Sequence, residues 1–462
     1  MKKHGCAIFI SIRESHIDKL VLLLIAMWFI VSGDCAASAM RQDNNFTMKK
    51  QKKLIAAVCE KLENFYTFPE VGLKTSQSIR KNFAEGKYAA CKTPSEFVRQ
   101  LNKDFEKYSQ DSHLKIAYDP EMAARMRELE MTGEKDSFAA LRADEYRWGN
   151  FGFKECKILD GNIGYLDFRI FFPPKYAGAT AVAAMDFFSN CRALIIDLRK
   201  NGGGWDTMVT FLASYFFDAE EPVLFSISHS KLDDAYYSSA TETYVPGKIL
   251  SDIPLYILTS GITASAAEGF ANIMKHLHGR ATLVGEKTAG GEHPSNRVVI
   301  DDEFILKLPC WRRIYSAVEA GWEGVGVKPD IEAKADSALV VAHLDALNKL
   351  LEKETDEKRR NKYRWAIDGV RTMKEPAAVA KAILQSYAGK YGKKVIHYEN
   401  GELLYEFIGT IAKSRMIPIS EDYFLVENSD DFRVRFKKEK NKIVSFEEIF
   451  DDGYIIENKK EQ

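Results

Sequence analysis

Apolar residues along positions 47–110 return at three- and four-residue intervals. Leu54, Ala57, Val58, Leu62 and Phe65 share one face at helical spacing. Thr93-Pro94-Ser95-Glu96 resembles a helix start ahead of Phe97, Val98 and Leu101. Residues 120–147 are charged and Met-rich, and read as a helical or loop connector. From about residue 150 the period shortens. Gly164-Tyr165-Leu166-Asp167-Phe168, Ala193–Leu198, Leu255–Thr259 and Ala281–Gly285 read as strands, with helical runs at Thr207–Phe217 and Ala264–Leu277 between them. Strands alternating with helices predict an α/β domain with a mainly parallel sheet, closing near Pro329-Asp330-Ile331.

Residues 336–385 return to a helical pattern, with the charged stretch Glu352–Arg364 as a solvated face or linker. From Tyr387 the chain becomes β-like: Lys394–Tyr398, a turn at Asn400-Gly401, Leu403–Ile408, Tyr423–Val426, Phe432–Phe436 and Ile443–Phe446. The expected division is a leader over 1–39, a helical cap over 47–120, an α/β domain over 150–335, a helical linker over 336–385 and a small antiparallel β module over 386–458. No internal repeat is seen.

A length of 462 residues favours two to four domains, and 46% hydrophobic content supplies a buried core. Lys and Arg (65) balance Asp and Glu (66), so no global field draws in nucleic acid or an anionic membrane. The first residues are a separate matter. Lys2, Lys3, Arg13 and Lys19 precede the apolar run Leu20–Val31, and Ala37-Ser38-Ala39 follows. That order is a basic region, an apolar region and a cleavage site, which predicts export to the periplasm or cell envelope. The run is short for a membrane span, which needs roughly 20 apolar residues. A retained membrane anchor or lipidation at Cys35 are the alternatives, although Asp34 sits where a small residue is expected. Cys59, Cys91, Cys156, Cys191 and Cys310 would remain after cleavage, scattered and odd in number. Neither a zinc site nor a disulfide framework follows. His276 and His278 stand two apart, so they do not share a helix face. No metal and no cofactor are expected.

Thr259-Ser260-Gly261-Ile262-Thr263-Ala264-Ser265-Ala266-Ala267-Glu268 follows a buried strand and opens a helix. A serine at such a turn stands at the sheet edge beside free backbone N–H groups and the positive end of a helix. Both favour the negative charge that develops in acyl transfer. Taken alone, Ser265 would read as an ordinary capping serine. Asp197-Leu198-Arg199-Lys200-Asn201-Gly202-Gly203-Gly204 ends another strand. Its glycines let the backbone approach a ligand, at the end of the sheet where α/β proteins bind. No Gly-Lys-Ser/Thr follows, which argues against a phosphate loop, and a tight surface turn is the plainer alternative.

In order and spacing these segments, with Val284-Gly285-Glu286-Lys287-Thr288-Ala289-Gly290-Gly291, resemble the serine peptidases that include tail-specific (C-terminal processing) proteases and the tricorn core. They also resemble the repeats of interphotoreceptor retinoid-binding protein. The resemblance covers roughly residues 50–335 and implies a crotonase/ClpP-like α/β core that cuts peptide or protein substrates. Tail-specific proteases use a Ser–Lys dyad, but the position matching the lysine is Gly291, and Lys287 stands where the family pattern varies. The tricorn-like branch takes its base from an upstream Ser-His pair, matched by Asp111-Ser112-His113-Leu114. Glu323, in Glu323-Gly324-Val325-Gly326-Val327-Lys328-Pro329-Asp330, matches that branch's acid.

The resemblance thus implies a tetrad of Ser112, His113, Ser265 and Glu323, with Ser265 as nucleophile, His113 as base, and Glu323 acting through Ser112. An oxyanion hole would use the N–H of Ala266 and one from Gly202, Gly203 or Gly204. Isolated, His113 would read as a structural loop histidine and Glu323 as a solvated loop acid; Glu268 reads as a helix-face residue. Tyr66-Thr67-Phe68-Pro69-Glu70 resembles the family's N-terminal cap. The interval after Tyr118 is too short for the PDZ module of tail-specific proteases. Tyr387-Ala388-Gly389-Lys390-Tyr391 and the strands after it resemble β-domains appended to such peptidases. Two other functions compete: a non-catalytic binding protein on the same scaffold, and acyl-CoA chemistry of the crotonase type. The first predicts loss of tetrad members, and the second conflicts with export.

Overall fold

A computed structural model describes residues 46–461, apart from positions 135, 219, 319, 320, 410, 411 and 430. The expected leader, residues 1–39, lies outside the described residues. Among these, no helix is long and apolar enough to cross a membrane.

Three helices open the chain, α1 (Met48–Phe65), α2 (Pro69–Ala84) and α3 (Pro94–Ser109). The Thr93 hydroxyl accepts the Glu96 N–H and the Glu96 carboxylate accepts the Thr93 N–H, so α3 starts in a capping box. Leu54, Val58, Leu62, Phe97 and Leu101 are all buried in one core. That core is completed by residues far along the chain. Strands β1 (Lys115–Tyr118), β10 (Phe304–Pro309) and β9 (Ser295–Ile300) form an antiparallel sheet, and Ile116, Leu306 and Ile300 face the helices. The connector is helical, as α4 (Pro120–Met131) and α5 (Ser137–Trp148), and Ala123 and Met126 pack on the other face of β9 and β10.

The central sheet has six strands in the order β12-β8-β7-β4-β3-β2: Ile331–Glu332, Ala281–Gly285, Leu255–Thr259, Ala193–Asp197, Ile163–Phe168 and Phe153–Leu159. All pairings are parallel except β2 with β3. In β4, Leu194 and Ile196 enter one core while Ala193 and Ile195 enter another. A strand covered on both faces needs such an unbroken apolar run. One face carries α6 (Pro174–Phe187), α7 (Asp206–Ala213) and α8 (Ala266–His276). The other carries α9 (Ala338–Lys353) and α10 (Glu357–Lys374), through Ala342, Ala346, Leu347, Tyr363 and Ile367. The segment expected as a linker is therefore the second helical layer of the α/β core. A further three-stranded sheet, of β5 (Leu224–Ser230), β6 (Ala235–Ala240) and β11 (Trp311–Ser316), stands beside it.

After α11 (Lys381–Tyr387), eight antiparallel strands follow in chain order: β13 (Gly389–Tyr391), β14 (Lys394–Glu399), β15 (Glu402–Phe407), β16 (Ser414–Pro418), β17 (Tyr423–Val426), β18 (Phe432–Glu439), β19 (Lys442–Phe450) and β20 (Ile455–Lys459). Asn400 (φ 52°) and Gly401 (φ 93°) make the left-handed hairpin turn that Asn-Gly predicts. The Glu461 N–H donates to the Lys390 carbonyl at 2.8 Å, which ties the end of the meander back to its first strand. The sheet is barrel-like and filled by Tyr391, Phe424, Phe436 and Phe446.

Candidate active site

Ser265 stands between the end of β7 and the first residue of α8. The turn is fixed from below: the Ser260 N–H donates to Thr263 Oγ1 (2.9 Å), and that hydroxyl donates to the Leu198 carbonyl (2.8 Å). Ser265 itself has φ 55° and ψ −123°. A non-glycine residue there costs on the order of 1–3 kcal/mol and persists only where its surroundings enforce it. Glu268 is one such enforcer. Its carboxylate, wholly buried, accepts the N–H groups of Ser265 (2.8 Å), Gly290 (2.7 Å) and Gly291 (2.8 Å) and the Thr288 hydroxyl (2.5 Å). Expected on a helix face, Glu268 instead clamps the Ser265 turn to the Thr288–Gly291 loop.

His113 follows α3, whose left-handed cap at Gln110 (φ 56°) turns the chain, and its N–H donates to Asp111 Oδ1 at 2.9 Å. The imidazole is buried and its Nε2 lies 3.0 Å from Ser265 Oγ. Burial pushes this imidazole down to about 4, with the Lys307 charge acting in the same direction. Its Nδ1 is buried without a hydrogen-bond partner among the described residues. Gly291 makes room for the ring: a Cβ there would lie 2.7 Å from His113 Cε1. The space that the absence of a side chain at Gly291 leaves is thus taken by imidazole. Lys287 is exposed, and no hydrogen bond joins it to Ser265 among the described residues.

Glu323 lies close to the histidine. Its Oε2 accepts the backbone N–H groups of Glu292 (2.5 Å) and His293 (3.2 Å). Ligand-type atoms of Asp111, His113 and Glu323 lie within 4.8 Å of one another, close enough to hold a metal ion as well as to share protons. Ser112 is exposed, and among the described residues no hydrogen bond joins it to His113 or Glu323.

Neighbours to which the sequence reading gave no role complete this side of the site. His293 Nδ1 lies 3.1 Å from Asp111 Oδ2 and 3.5 Å from Glu323 Oε2, and Asp111 Oδ2 also accepts the Tyr66 hydroxyl at 2.8 Å. Burial raises the Asp111 carboxyl, but the bonds from His293, Tyr66 and the His113 N–H outweigh it and leave it below its ordinary value. Burial lowers His293 in turn, yet Asp111, Glu323 and Glu292 raise it on balance. Phe68 closes this side, with its ring edge-on to His293 at 4.9 Å between centroids. Tyr66 and Phe68 fall in the cap-like segment and Asp111 adjoins Ser112. His293 had only its position, two residues after Gly291, to mark it.

On the other side of Ser265 lies the glycine loop. At Gly203 (φ 101°) a Cβ would meet the Ala264 carbonyl oxygen at 2.7 Å and Ser265 Cβ at 2.8 Å, so only glycine brings this loop against the serine. The Gly203 N–H donates to Asn201 Oδ1 at 2.8 Å. The base of the loop is anchored by Asp197, which accepts from Arg199 Nε (2.9 Å) and the Tyr165 hydroxyl (2.7 Å). The five described cysteines are all free thiols, and burial pushes Cys59 and Cys310 up to about 12.

Residues 162–333 match the family model of peptidase family S41, and residues 46–141 match that of the N-terminal domain of this family in eukaryotic IRBP. The chain is similar to a carboxyl-terminal-processing protease of Picosynechococcus sp., 35% identical over 96 residues that make up 21% of each chain. It is also similar to the chloroplastic carboxyl-terminal-processing peptidase 3 of Arabidopsis thaliana, 23% identical over 37% of this chain and 34% of that one. The chain thus spans about a fifth and about a third of the length of these curated relatives. Among solved structures, a photosystem II D1 C-terminal processing protease aligns over 62% of this chain and 94% of its own, at 14% identity and a TM-score of 0.40.

Proposed function

The chain carries a peptidase family S41 domain behind an N-terminal domain of IRBP type, and on that premise we propose that it is a serine endopeptidase acting through an acyl-enzyme on Ser265. The observation that carries the reading is the 3.0 Å contact between His113 Nε2 and Ser265 Oγ. At neutral pH a histidine lowered to about 4 is uncharged and free to accept a proton. As Oγ bonds to the scissile carbonyl carbon, its proton passes to Nε2. The tetrahedral species collapses with cleavage of the C–N bond, and Nε2 returns the proton to the leaving amine. Water then repeats the sequence on the acyl-enzyme, releasing the carboxylic acid and restoring Ser265. The developing oxyanion is received by the Ala266 N–H together with Gly202 or Gly204, since the Gly203 N–H is engaged by Asn201.

Glu323 stabilises the imidazolium, with the neighbouring Ser112 hydroxyl as its bridge to Nδ1. The unpartnered Nδ1 and the carboxylate within 4.8 Å support that role, because hydrogen bonds in such sites tighten when substrate binds. The core is read as crotonase/ClpP-like, the substrate as a peptide or protein, and the location as the periplasm or cell envelope, with membrane association where the leader is retained or lipidated. The steps above call on no cofactor. A fluorophosphonate probe tests the reading. Labelling should occur at Ser265 and vanish in Ser265→Ala, and labelling that survives the substitution overturns the assignment. Loss of labelling in His113→Ala with retention in Lys287→Ala identifies the base.

A further inference from the structure

Three donors at the site support a chemistry that the acyl-transfer steps do not use. Ligand-type atoms of Asp111, His113 and Glu323 lie within 4.8 Å of one another. Zinc bonds to imidazole nitrogen and carboxylate oxygen are about 2.0–2.2 Å long, so donors on one zinc stand up to roughly 4 Å apart. The side chains need to close by about an ångström to share an ion. The order of the chain does not mark this set, because Asp111 and His113 follow α3 while Glu323 lies between β11 and β12.

Each donor keeps capacity for a metal bond. His113 is 5% exposed, its Nε2 is engaged with Ser265 Oγ at 3.0 Å, and its Nδ1 has no hydrogen-bond partner among the described residues. A buried polar atom left unpaired is costly, and a bound ion relieves it. Glu323 Oε2 accepts the N–H groups of Glu292 and His293, and Oε1 accepts no hydrogen bond among the described residues. Asp111 Oδ1 accepts the His113 N–H at 2.9 Å and keeps a second lone pair. His293 Nδ1, 3.1 Å from Asp111 Oδ2 and 3.5 Å from Glu323 Oε2, borders the same space as a fourth donor. The groups here that can carry positive charge are His293 and Lys307, on both of which Asp111 and Glu323 act. They offset the two carboxylates, so a calcium or magnesium ion, held by oxygen alone, gains little. A metal that also bonds nitrogen gains the unpaired Nδ1, and one imidazole with two carboxylates suits zinc.

We propose that Asp111, His113 and Glu323 bind a zinc ion, with His293 at hand as a fourth ligand, and that the bound ion holds the peptidase inactive. This rests on the reading of His113 as the base. A neutral imidazole has one N–H and one lone pair. To take the Ser265 proton, Nε2 must carry the lone pair and Nδ1 the proton. Zinc on Nδ1 takes the lone pair there and leaves the ring proton on Nε2, which then donates towards Ser265 Oγ and accepts nothing. The ion also ties down Glu323, the carboxylate read as stabilising the imidazolium. Removing zinc reverses both effects.

The test uses the full chain, stripped of metal with EDTA and desalted. Isothermal titration calorimetry follows zinc binding, and mass spectrometry follows the rate of fluorophosphonate labelling at Ser265. About one equivalent should bind with a Kd of roughly 1 μM or tighter. Labelling should slow by roughly tenfold or more at saturation, because the general base is lost, and EDTA should restore it. Ser265→Ala should bind zinc as tightly as the unsubstituted chain, since Oγ is not a ligand. Glu323→Gln and Asp111→Asn should each weaken binding by roughly tenfold or more, and Glu323→Gln serves if Asp111→Asn does not fold. Absence of binding, or unchanged affinity in Glu323→Gln, overturns the proposal. The two readings fail separately. Labelling at Ser265 that ignores saturating zinc removes the metal switch and leaves the peptidase. Zinc binding that is lost in Glu323→Gln, in a chain never labelled at Ser265, removes the peptidase and leaves the metal site.

Discussion

A methyl group at position 291 would sit 2.7 Å from His113 Cε1, closer than side-chain carbons approach one another. Something must move, and the backbone at 291 cannot, because Glu268 holds its N–H. The imidazole is what gives way. Gly291→Ala should therefore leave the protein folded while drawing Nε2 off Ser265 Oγ. A misplacement of about 1 Å costs on the order of 10²-fold in turnover. The measurement is kcat on a cleaved peptide beside Tm: a large fall in kcat with Tm shifted by only a few degrees is the expected result, and full activity would show that the ring has other room. The same residue explains what was readable. Ser265, His113 and Gly291 sit in short segments whose order along the chain carries the signal. His293 lies near Gly291 in sequence, but its partner Asp111, itself held by the Tyr66 hydroxyl, comes from the cap, so only the assembled fold relates them.

At the scale of elements, strand β7, its turn and helix α8 were legible because a buried parallel strand is an unbroken apolar run. Strands β9, β10 and β11 were not, since their apolar faces are completed by helices from the other end of the chain. The junction between the two kinds of element is Glu268, which bonds the Ser265 turn to the loop leading into β9. In Glu268→Gln an NH₂ donor replaces one of two acceptor oxygens that together receive three N–H groups and a hydroxyl. At least one buried donor then loses its partner, which costs about 1–3 kcal/mol. Thermal melting should register that loss as a lower Tm. The Ser265 backbone, freed from its enforcer, should also relax from φ 55°, so that probe labelling slows. A variant with native Tm and native labelling would show that the clamp is dispensable.

For the whole molecule the informative segment is residues 336–385. Its charge-rich helix pattern suggested a linker, because α10 exposes a polar face over most of its length. Yet Tyr363, Ala366 and Ile367 are buried beside Ile163, Tyr165 and Ile195, on the face of the sheet opposite α8. The barrel-like module sits differently. A cavity of about 760 Å³ separates it in part from α10, lined by Tyr363, Trp365, Met373, Val426 and Arg433, and much of the bridging falls to Arg433 stacked 3.6 Å over Trp365. Apolar area sealed against the sheet stabilises by about 25 cal/mol per Å², whereas a wall facing a cavity forfeits its contacts. Two truncations should then behave differently. A chain ending at residue 376 keeps α9 and α10, so it should melt cooperatively and still accept a fluorophosphonate at Ser265. A chain ending at residue 337 bares the underside of β3, β4 and β7, and should aggregate or melt without a transition. Calorimetry and probe labelling on the pair decide it. If the shorter chain folds, the helices are a linker after all; if the longer one fails, the barrel is a structural part of the catalytic body and its contacts across the cavity matter more than their geometry suggests.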